Sequence, residues 1–213
     1  MSRCYVIAAG DFTPEGLAPE PGDWVIAADA GYRHASRYGI PVDLAVGDFD
    51  SLGEAPKHSN IVKLHAEKDD SDTQHALDIA LQRGYQDFRM YGMLGGRQDH
   101  AWANILLLGY LLDRGAHGRI VGEGVRIFAI RNESITLSPL ESGIVSVFAL
   151  GGEARGVTIE GLKYELRSRS FGRSPSHGLS NECIGKPVRI AVEAGTLLVF
   201  CPPGALPRGG TEG

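Results

Sequence analysis

The feature of the sequence best suited to chemistry is a pair of aspartates, Asp48 and Asp50, that flank Phe49 in the segment Gly47-Asp48-Phe49-Asp50-Ser51. In an extended loop alternate side chains point the same way, so both carboxylates would face one side of the chain. Two carboxylates about 4 Å apart repel by roughly 4 kcal/mol at an effective dielectric constant near 20, and a cation would relieve that repulsion. Mg²⁺ prefers oxygen ligands of this kind, completed by water and substrate phosphates. Aspartates are also common in turns, so the pair alone leaves a turn and a metal site equally open.

Three further aspartates follow apolar runs that we interpret as strands: Asp29, Asp72 and Asp99. If Asp72 and Asp99 converge on the Asp48–Asp50 loop, the site requires a cation. Each also has a structural alternative, because Ser71-Asp72-Thr73-Gln74 is a capping box and Asp99 could be the N-cap of its helix. Zinc is not indicated, since none of the seven histidines belongs to a ligand pair such as HExxH.

A glycine-rich segment, Gly95-Gly96-Arg97, opens a predicted helix and has the features of an anion site. Paired glycines let backbone N–H groups approach a phosphate, the helix N-terminus favours negative charge, and Arg97 can bind two phosphate oxygens. Lys68 is a second candidate phosphate contact. The alternatives are a glycine turn with an exposed arginine, and a solvated loop lysine. Asn104, one turn beyond His100, could face the site, and His100 could instead serve only in packing.

These segments must be positioned by strands and helices that alternate along the first half of the chain. Uninterrupted apolar runs between helical patterns predict a buried parallel sheet in an open, doubly wound α/β fold. A glycine follows each predicted helix, as is typical of helix C-termini. Ligands of such sheets bind at the carboxyl ends of the strands, which is where the acidic and glycine-rich segments fall. The predicted strands are Cys4–Ala9, Trp24–Ala28, Leu44–Val46, Ile61–Leu64, Phe88–Tyr91 and Arg119–Val121, and the predicted helices are Gly31–Tyr38, Asp72–Arg83 and Asp99–Arg114.

The pattern changes near residue 124, after which short apolar runs recur with turn residues between them and no helix is indicated. This spacing predicts an all-β antiparallel sandwich or small barrel. We therefore predict an α/β nucleotide-binding catalytic domain over 1–124 and a β domain over 125–201. Three prolines and four glycines after Cys201 predict a flexible tail over 202–213. The predicted strands of this half are Val125–Ile130, Ile135–Leu137, Ile144–Ala149, Val157–Ile159, Lys163–Leu166, Val188–Ala191 and Thr196–Phe200.

Composition limits the classes of function. The 213 residues carry a formal charge of −5, which argues against nonspecific binding of nucleic acid. The basic residues Lys163, Arg167, Arg169 and Arg173 are accordingly interpreted as a solvated strand face. Three cysteines without a CxxC pair are typical of a reduced, cytoplasmic protein. No apolar stretch approaches the ~20 residues that span a bilayer, so we expect no membrane association.

Taken together, the segments resemble the thiamine pyrophosphokinase family in order and spacing. Ala30 and Ser71 stand where the family commonly has glycine and threonine, and no match is found for the aromatic wall that stacks on thiamine in some members. The resemblance covers roughly residues 25 to 200 and is carried by Asp29-Ala30-Gly31, Gly47-Asp48-Phe49-Asp50-Ser51, Lys68-Asp69-Asp70-Ser71-Asp72, Gly95-Gly96-Arg97-Gln98-Asp99-His100 with Asn104, and Ser180-Asn181.

The resemblance implies a fold and an activity. The family has an α/β nucleotide-binding domain followed by a β-sandwich domain that binds thiamine. It transfers pyrophosphate from ATP to the thiamine hydroxyl with Mg²⁺, and AMP is released. A homodimer whose sites use residues of both subunits is implied as well.

The resemblance also implies roles for individual residues. Asp72, Asp99 and Arg97 are expected to be catalytic, with Asp99 or Asp72 as the base if one is needed. The alternatives are a pyrophosphokinase for another heterocyclic alcohol such as a hydroxymethylpterin, a metal-dependent phosphohydrolase, and a non-catalytic module that senses nucleotide or thiamine. The expected ligands of Mg²⁺ are Asp48, Asp50, Asp72 and Asp99, those of ATP are Asp29, Lys68, Gly95, Gly96, Arg97, His100 and Asn104, and those of thiamine are Ser180 and Asn181.

Overall fold

The structure, a computed structural model, describes residues 2–50, 58–65, 70–172 and 175–207, with the backbone alone at 175 and 176. The chain divides into two compact units between Glu123 and Gly124. The first unit contains β1 (Cys4–Ile7), β2 (Trp24–Ala28), α1 (Gly31–Tyr38), β3 (Leu44–Gly47), β4 (Ile61–Lys63), α2 (Asp72–Gln82), β5 (Asp87–Tyr91), α3 (Gln98–Asp113) and β6 (His117–Gly122).

The strands of the first unit form a parallel sheet in the order β6-β5-β1-β2-β3-β4. The chain runs outward from β1 through β2 and β3 to β4. It then returns through α2 to the other side of β1, where β5 and β6 follow. The strand order therefore reverses between β1 and β5, as in a doubly wound fold, and the predicted α/β architecture is confirmed. Every residue of β1, β2 and β3 is buried, which explains their uninterrupted apolar sequences.

Glycines define both ends of α1. A Cβ on Gly31 would lie 2.0 Å from the carbonyl oxygen of Ile7, so only glycine lets the helix begin this close to β1. At the other end Gly39 adopts a left-handed conformation (φ 64), and its N–H donates to the carbonyl oxygens of Ala35 and Ser36.

The two longer helices begin differently. The hydroxyl of Ser71 caps α2 by accepting the N–H of Gln74 at 3.2 Å, as the sequence predicts. Arg97 is the N-cap residue of α3 and makes no side-chain capping bond. Asp99, which we considered as an N-cap, lies instead in the first turn of that helix. Among the described residues, no helix has both the length and the apolar character that crossing a membrane requires.

The second unit is a sandwich of two antiparallel sheets. One has the order β12-β9-β14-β7 and the other the order β11-β10-β13-β8. Side chains of both sheets share one apolar core, to which Val147 and Leu197 contribute from one sheet and Ile159 and Val188 from the other. The strands are β7 (Val125–Arg131), β8 (Ser134–Leu137), β9 (Ile144–Ala149), β10 (Ala154–Glu160), β11 (Leu166–Phe171), β12 (Asn181–Glu182), β13 (Val188–Ala191) and β14 (Thr196–Cys201), with a 3₁₀ turn at Pro175–Gly178.

One predicted strand of this unit was placed too early. Residues 163–165, the start of the predicted strand Lys163–Leu166, belong to a turn that begins at Gly161 (φ 83). The N–H of Gly161 donates to the carboxylate of Glu165 at 3.1 Å, which closes this turn. The strand β11 follows, and Arg167 and Arg169 are exposed on it, as a solvated strand face requires. The two-residue strand β12 is too short for a sequence pattern to reveal.

The beginning of the predicted tail is packed rather than loose. Ala205 and Leu206 are buried, and the N–H of Ser138 donates to the carbonyl oxygen of Leu206 at 3.0 Å. Pro207 forms a β-bridge with Leu137. Residues 202–207 therefore belong to the sandwich, and residues 208–213 lie outside the described part of the chain.

Candidate active site

A cavity of about 360 Å³ opens where the strand order of the first unit reverses, at the carboxyl ends of β1 and β5. Loops diverge from the sheet at such a reversal and leave a crevice for ligands. The cavity is lined by strand ends and by the first turns of α2 and α3. The residues predicted for the site that line it are Asp29, Asp72, Gly95, Gly96, Arg97, His100 and Asn104.

Two glycines that sequence reasoning missed let the loops after β1 and β5 cross beside this cavity. The N–H of Gly10 donates to the carbonyl oxygen of Gly92, and the N–H of Asp11 to that of Leu94, both at 2.7 Å. A Cβ on Gly10 would lie 2.2 Å from the Leu94 oxygen, and one on Gly92 (φ 66) would lie 2.2 Å from the Ala8 oxygen. Neither position tolerates a side chain. The available signal was a glycine shortly after each of the two strands.

Three carboxylates converge at this end of the sheet. Asp29, Asp48 and Asp72 each offer an oxygen that lies within 4.8 Å of the other two. At that separation each pair of charges repels by about 3 kcal/mol at an effective dielectric constant near 20. All three residues are half-buried, so solvent screens the repulsion less than at an open surface. Three carboxylate oxygens are a donor set that fits Mg²⁺, with phosphate oxygens and water completing its coordination.

The ends of β2 and β3 bring two of these carboxylates together. The N–H of Asp29 donates to the carbonyl oxygen of Val46 at 2.8 Å, and its left-handed backbone (φ 46) leads the chain from β2 toward α1. Gly47 lies directly alongside, because a Cβ there would be 3.0 Å from the Cα of Asp29. A side chain at position 47 would press against the backbone of Asp29. Asp72 arrives from the first turn of α2, where the helix dipole favours a negative charge.

Asp50 lies outside this group of three, although the alternation in the sequence predicts that it faces the same way as Asp48. Phe49 is buried, at 3% exposure, and has a left-handed backbone (φ 62). The segment is therefore not extended, and the alternation on which that expectation depended is broken. Asp50 is exposed, and its backbone N–H donates to Oδ1 of Asp48 at 3.1 Å. The backbone N–H of Asp50 thus orients the Asp48 carboxylate.

Arg97 and Asp99 form an ion pair at the start of α3, outside the group of three carboxylates. Nε and Nη2 of Arg97 lie 3.2 and 2.6 Å from the two carboxylate oxygens. These hydrogen bonds hold the pKa of Asp99 well below its usual range, at about 2. Because the side chains are 72% and 65% exposed, the pair contributes little to stability and can exchange for a ligand. Gly95 and Gly96, which precede it, both have left-handed backbones (φ 76 and 61).

The remaining residues of the first unit that were predicted to contact ATP differ in their surroundings. The side-chain amide of Asn104 donates to the carbonyl oxygen of Met93 at 3.0 Å and so ties the loop after β5 to α3. His100 lines the cavity and is exposed, which does not fit a purely packing role. Lys68 lies outside the described residues, as does Ser51 of the Asp48–Asp50 loop.

The two residues expected to contact thiamine lie in the second unit. The side chain of Asn181 is engaged in hydrogen bonds within the protein, whereas Ser180 is exposed. The carboxamide of Asn181 donates to the carbonyl oxygen of Tyr164 at 2.6 Å and accepts the N–H groups of Tyr164 and Glu182, each at 3.0 Å. Asn181 therefore holds the Tyr164 segment in place. Ser180 is exposed, and its backbone N–H donates to the hydroxyl of Ser146 at 3.0 Å. A thiamine contact of either residue stays a prediction.

Family models match most of the chain. Residues 20–117 match the model described as thiamin pyrophosphokinase, catalytic domain, and residues 132–197 match thiamin pyrophosphokinase, vitamin B1 binding domain. The chain is 30% identical over 222 residues to the thiamine pyrophosphokinase of Bacillus subtilis (strain 168), covering 94% of this chain and 98% of that protein.

Solved structures give the same result over both units. The crystal structure of thiamine pyrophosphokinase from Bacillus subtilis superposes with a TM-score of 0.83 at 25% identity, covering 95% of this chain and 99% of that chain. A thiamin pyrophosphokinase family protein from Enterococcus faecalis superposes with a TM-score of 0.80 at 28% identity, covering 94% and 98%. The sequence and the fold therefore match along nearly the whole length of each relative.

Proposed function

The chain belongs to the thiamin pyrophosphokinase family, and from this premise we propose that it transfers a diphosphoryl group from ATP to the hydroxyl of thiamine. The products are thiamine diphosphate and AMP. The observation that carries the proposal beyond family membership is the convergence of the Asp29, Asp48 and Asp72 carboxylates. Two of these residues, Asp29 and Asp72, line the same cavity as Gly95, Gly96 and Arg97. A cation site beside a glycine–arginine segment suits a polyphosphate donor.

Mg²⁺ is held, in this proposal, by Asp29, Asp48 and Asp72. The bound ion neutralises negative charge on the phosphate oxygens of ATP. Asp29 takes the place that we had expected Asp50 or Asp99 to fill, because among the described residues it is Asp29 whose carboxylate lies within reach of those of Asp48 and Asp72. Ligation by Asp50 or Asp99 stays a prediction from the family resemblance.

The transfer breaks the bond between the β-phosphorus and the oxygen that leaves with AMP, and it forms a bond from the thiamine oxygen to that phosphorus. Arg97 leaves Asp99 and binds oxygens of the transferring group, where electrostatic stabilisation supplies most of the catalysis. The hydroxyl proton passes to a base or to water. The candidate bases are Asp99, which Arg97 releases in this step, and Asp72.

We also propose that the protein acts as a homodimer. Four large apolar side chains around β12 are exposed by 43% to 60%: Ile144, Tyr164, Leu179 and Ile184, which we call the β12 patch. Ile144 pairs with Glu182 of β12, and the other three lie in segments adjoining that strand. Exposed apolar groups concentrated in this way favour association with another protein surface. Ser180, the exposed candidate for thiamine contact, lies in the same segment, which fits a site that uses residues of two chains.

One assay tests the proposed reaction. The full chain is incubated with ATP, Mg²⁺ and thiamine, and AMP and thiamine diphosphate are followed together. We expect the two products to form in equal amounts. ADP or inorganic phosphate as the main product would exclude diphosphoryl transfer, and tight binding of ATP without turnover would favour a sensing module. Replacing thiamine by a hydroxymethylpterin tests the alternative acceptor, on which we expect no transfer.

A further inference from the structure

A polar groove lies at the amino ends of β5 and β6, at the opposite end of the strands from the candidate active site. It consists of two cavities, of about 370 and 330 Å³, that share the turn formed by residues 84–86. The N–H of His117, at the start of β6, donates to the carbonyl oxygen of Gln86 at 2.8 Å and holds this turn against the sheet. Arg114 lines the larger cavity and Arg83 the smaller one. We call the two cavities together the β5–β6 groove.

Both arginines of the β5–β6 groove are held on aromatic rings. The guanidinium carbon of Arg83 lies 4.1 Å from the centroid of the Trp24 ring, and that of Arg114 lies 3.4 Å from the centroid of the Tyr110 ring. A guanidinium that stacks through its face keeps the N–H groups of its edge available for anions. The ion pairs found among the described residues include neither of these two arginines.

Arginines at the ends of helices often serve only to offset the partial negative charge of the last carbonyl groups. Arg83 follows α2 and Arg114 follows α3, but backbone N–H groups already bind carbonyl oxygens in the last turns of both helices. Nη1 of Arg114 donates to one further carbonyl oxygen, that of Tyr110, at 3.3 Å. A guanidinium has five N–H donors, so most of those on both arginines remain for a ligand.

The charged side chains that line the β5–β6 groove have a positive balance. Two arginines lie along it with one aspartate, Asp78, whose carboxylate accepts the hydroxyl of Tyr110. Burial, together with this hydrogen bond, raises the pKa of Tyr110 to about 12, so the phenol adds no negative charge. The carboxamides of Gln82 and Gln86 supply further hydrogen-bond donors.

A ligand that suits this lining carries anionic oxygens at two places, because Arg114 borders one cavity and Arg83 the other. Phosphate oxygens match the fork of a guanidinium. We propose that the β5–β6 groove binds a small oligophosphate, free or esterified, separately from the candidate active site. The site lies at the far ends of the two helices whose first residues include Asp72 and Arg97, and it does not depend on the proposed diphosphoryl transfer.

Protection of individual arginines from phenylglyoxal tests this proposal. The reagent modifies accessible guanidinium groups, and a bound anion slows the modification. The full chain is treated at constant ionic strength with increasing inorganic tripolyphosphate or ATP, and peptide mass spectrometry follows each arginine separately. Arg167, which is exposed on β11 of the second unit, is the matched control within the same sample.

We expect tripolyphosphate to slow the modification of Arg83 and Arg114 at least about fivefold, with one common half-protecting concentration, and to leave Arg167 unaffected. A lower half-protecting concentration for ATP would identify an esterified ligand, and a higher one a free oligophosphate. Absence of protection at Arg83 and Arg114, or equal slowing at Arg167, would overturn the proposal.

Variants then separate this groove from the candidate active site. Arg114→Ala should raise the half-protecting concentration at Arg83 about tenfold, because one of two charge-assisted contacts is lost. Arg97→Ala should change it less than about twofold. An unchanged value in Arg114→Ala, or a large change in Arg97→Ala, would contradict a single ligand bound in this groove. Circular dichroism shows whether each variant is folded, and the protection of the unchanged protein decides the question if Arg114→Ala is not.

Discussion

At the scale of single residues, the conformation of Phe49 decides which carboxylates lie close together. Its left-handed backbone turns Asp50 outward while Asp48 stays beside Asp29 and Asp72. The Asp50 N–H then binds the Asp48 carboxylate at 3.1 Å. The two aspartates of one short motif therefore have unequal positions, and their substitutions should have unequal effects.

We predict that Asp48→Asn lowers kcat on the order of 100-fold or more, because it removes one charge from the cation site. Asparagine has the same size and can still accept the Asp50 N–H, so the fold should persist, as circular dichroism would show. Asp50→Asn is the matched control and keeps that N–H in place. We expect it to cost much less activity in the AMP-release assay. Equal losses in the two variants would place both side chains at the cation.

The Arg97–Asp99 pair supports a prediction about titration. Carboxyl resonances followed by NMR should place the pKa of Asp99 at about 2, and Arg97→Gln should raise it toward the ordinary value near 3.9. Because the folded pKa is the lower one, any stabilisation from the pair is present above the ordinary pKa and is lost as the pH falls toward 2. Exposure keeps that stabilisation small. A value near 4 in the unchanged protein would show that the pair does not form in solution.

At the scale of elements, local signals placed most boundaries correctly. The three helices lie within about one residue of their predicted limits, because a capping serine and the glycines that follow helices act on neighbouring backbone groups. The strand predicted at Lys163–Leu166 was wrong at its first three residues. Tyr164 and Leu166 alternate with charged residues as they would in a strand, whereas Glu165 closes a turn by accepting the N–H of Gly161. This hydrogen bond competes with strand pairing, and it leaves no periodic pattern in the sequence.

The two glycines of α1 should differ in what they tolerate. Gly31→Ala would set a Cβ 2.0 Å from the Ile7 carbonyl oxygen, so we expect a loss of about 3 kcal/mol in the free energy of unfolding. Gly39→Ala meets no atom within 4 Å and strains only a left-handed backbone, so about 1 kcal/mol is expected. Urea denaturation measures both. Similar losses would mean that α1 can shift away from β1 to accommodate a side chain.

At the scale of the whole molecule, the β12 patch is the basis for the proposed homodimer. Ile184→Glu places a charge among four exposed apolar side chains, and we expect it to raise the dimer dissociation constant at least about tenfold. Sedimentation velocity over a range of concentrations measures the change. Arg167→Glu, on an exposed strand of the other sheet, is the control and should leave the dimer intact. A monomeric unchanged protein would refute the homodimer, and an unaffected Ile184→Glu dimer would place its interface elsewhere.

A cytoplasmic location stays a prediction from the cysteine content.

The sequence by itself determined the class of fold, the helix limits and the family, because these depend on local periodicity, capping and motifs that neighbouring residues carry. Asp48 and Asp72 could also be recognised, since both follow strands of a parallel sheet. Asp29 was expected to contact ATP, and its position beside Asp48 was not predicted, because the distance between them depends on how β2 pairs with β3.

Only the tertiary structure decided which carboxylates converge. The pairing of Ala28 with Val46 sets Asp29 beside the Asp48 loop, and the buried ring of Phe49 turns Asp50 away. The crossing at Gly10 and Gly92 likewise depends on β1 pairing with β5. These contacts join residues that are distant in the chain, and packing selects among several locally acceptable conformations. A pattern of spacing along one segment carries no information about that selection.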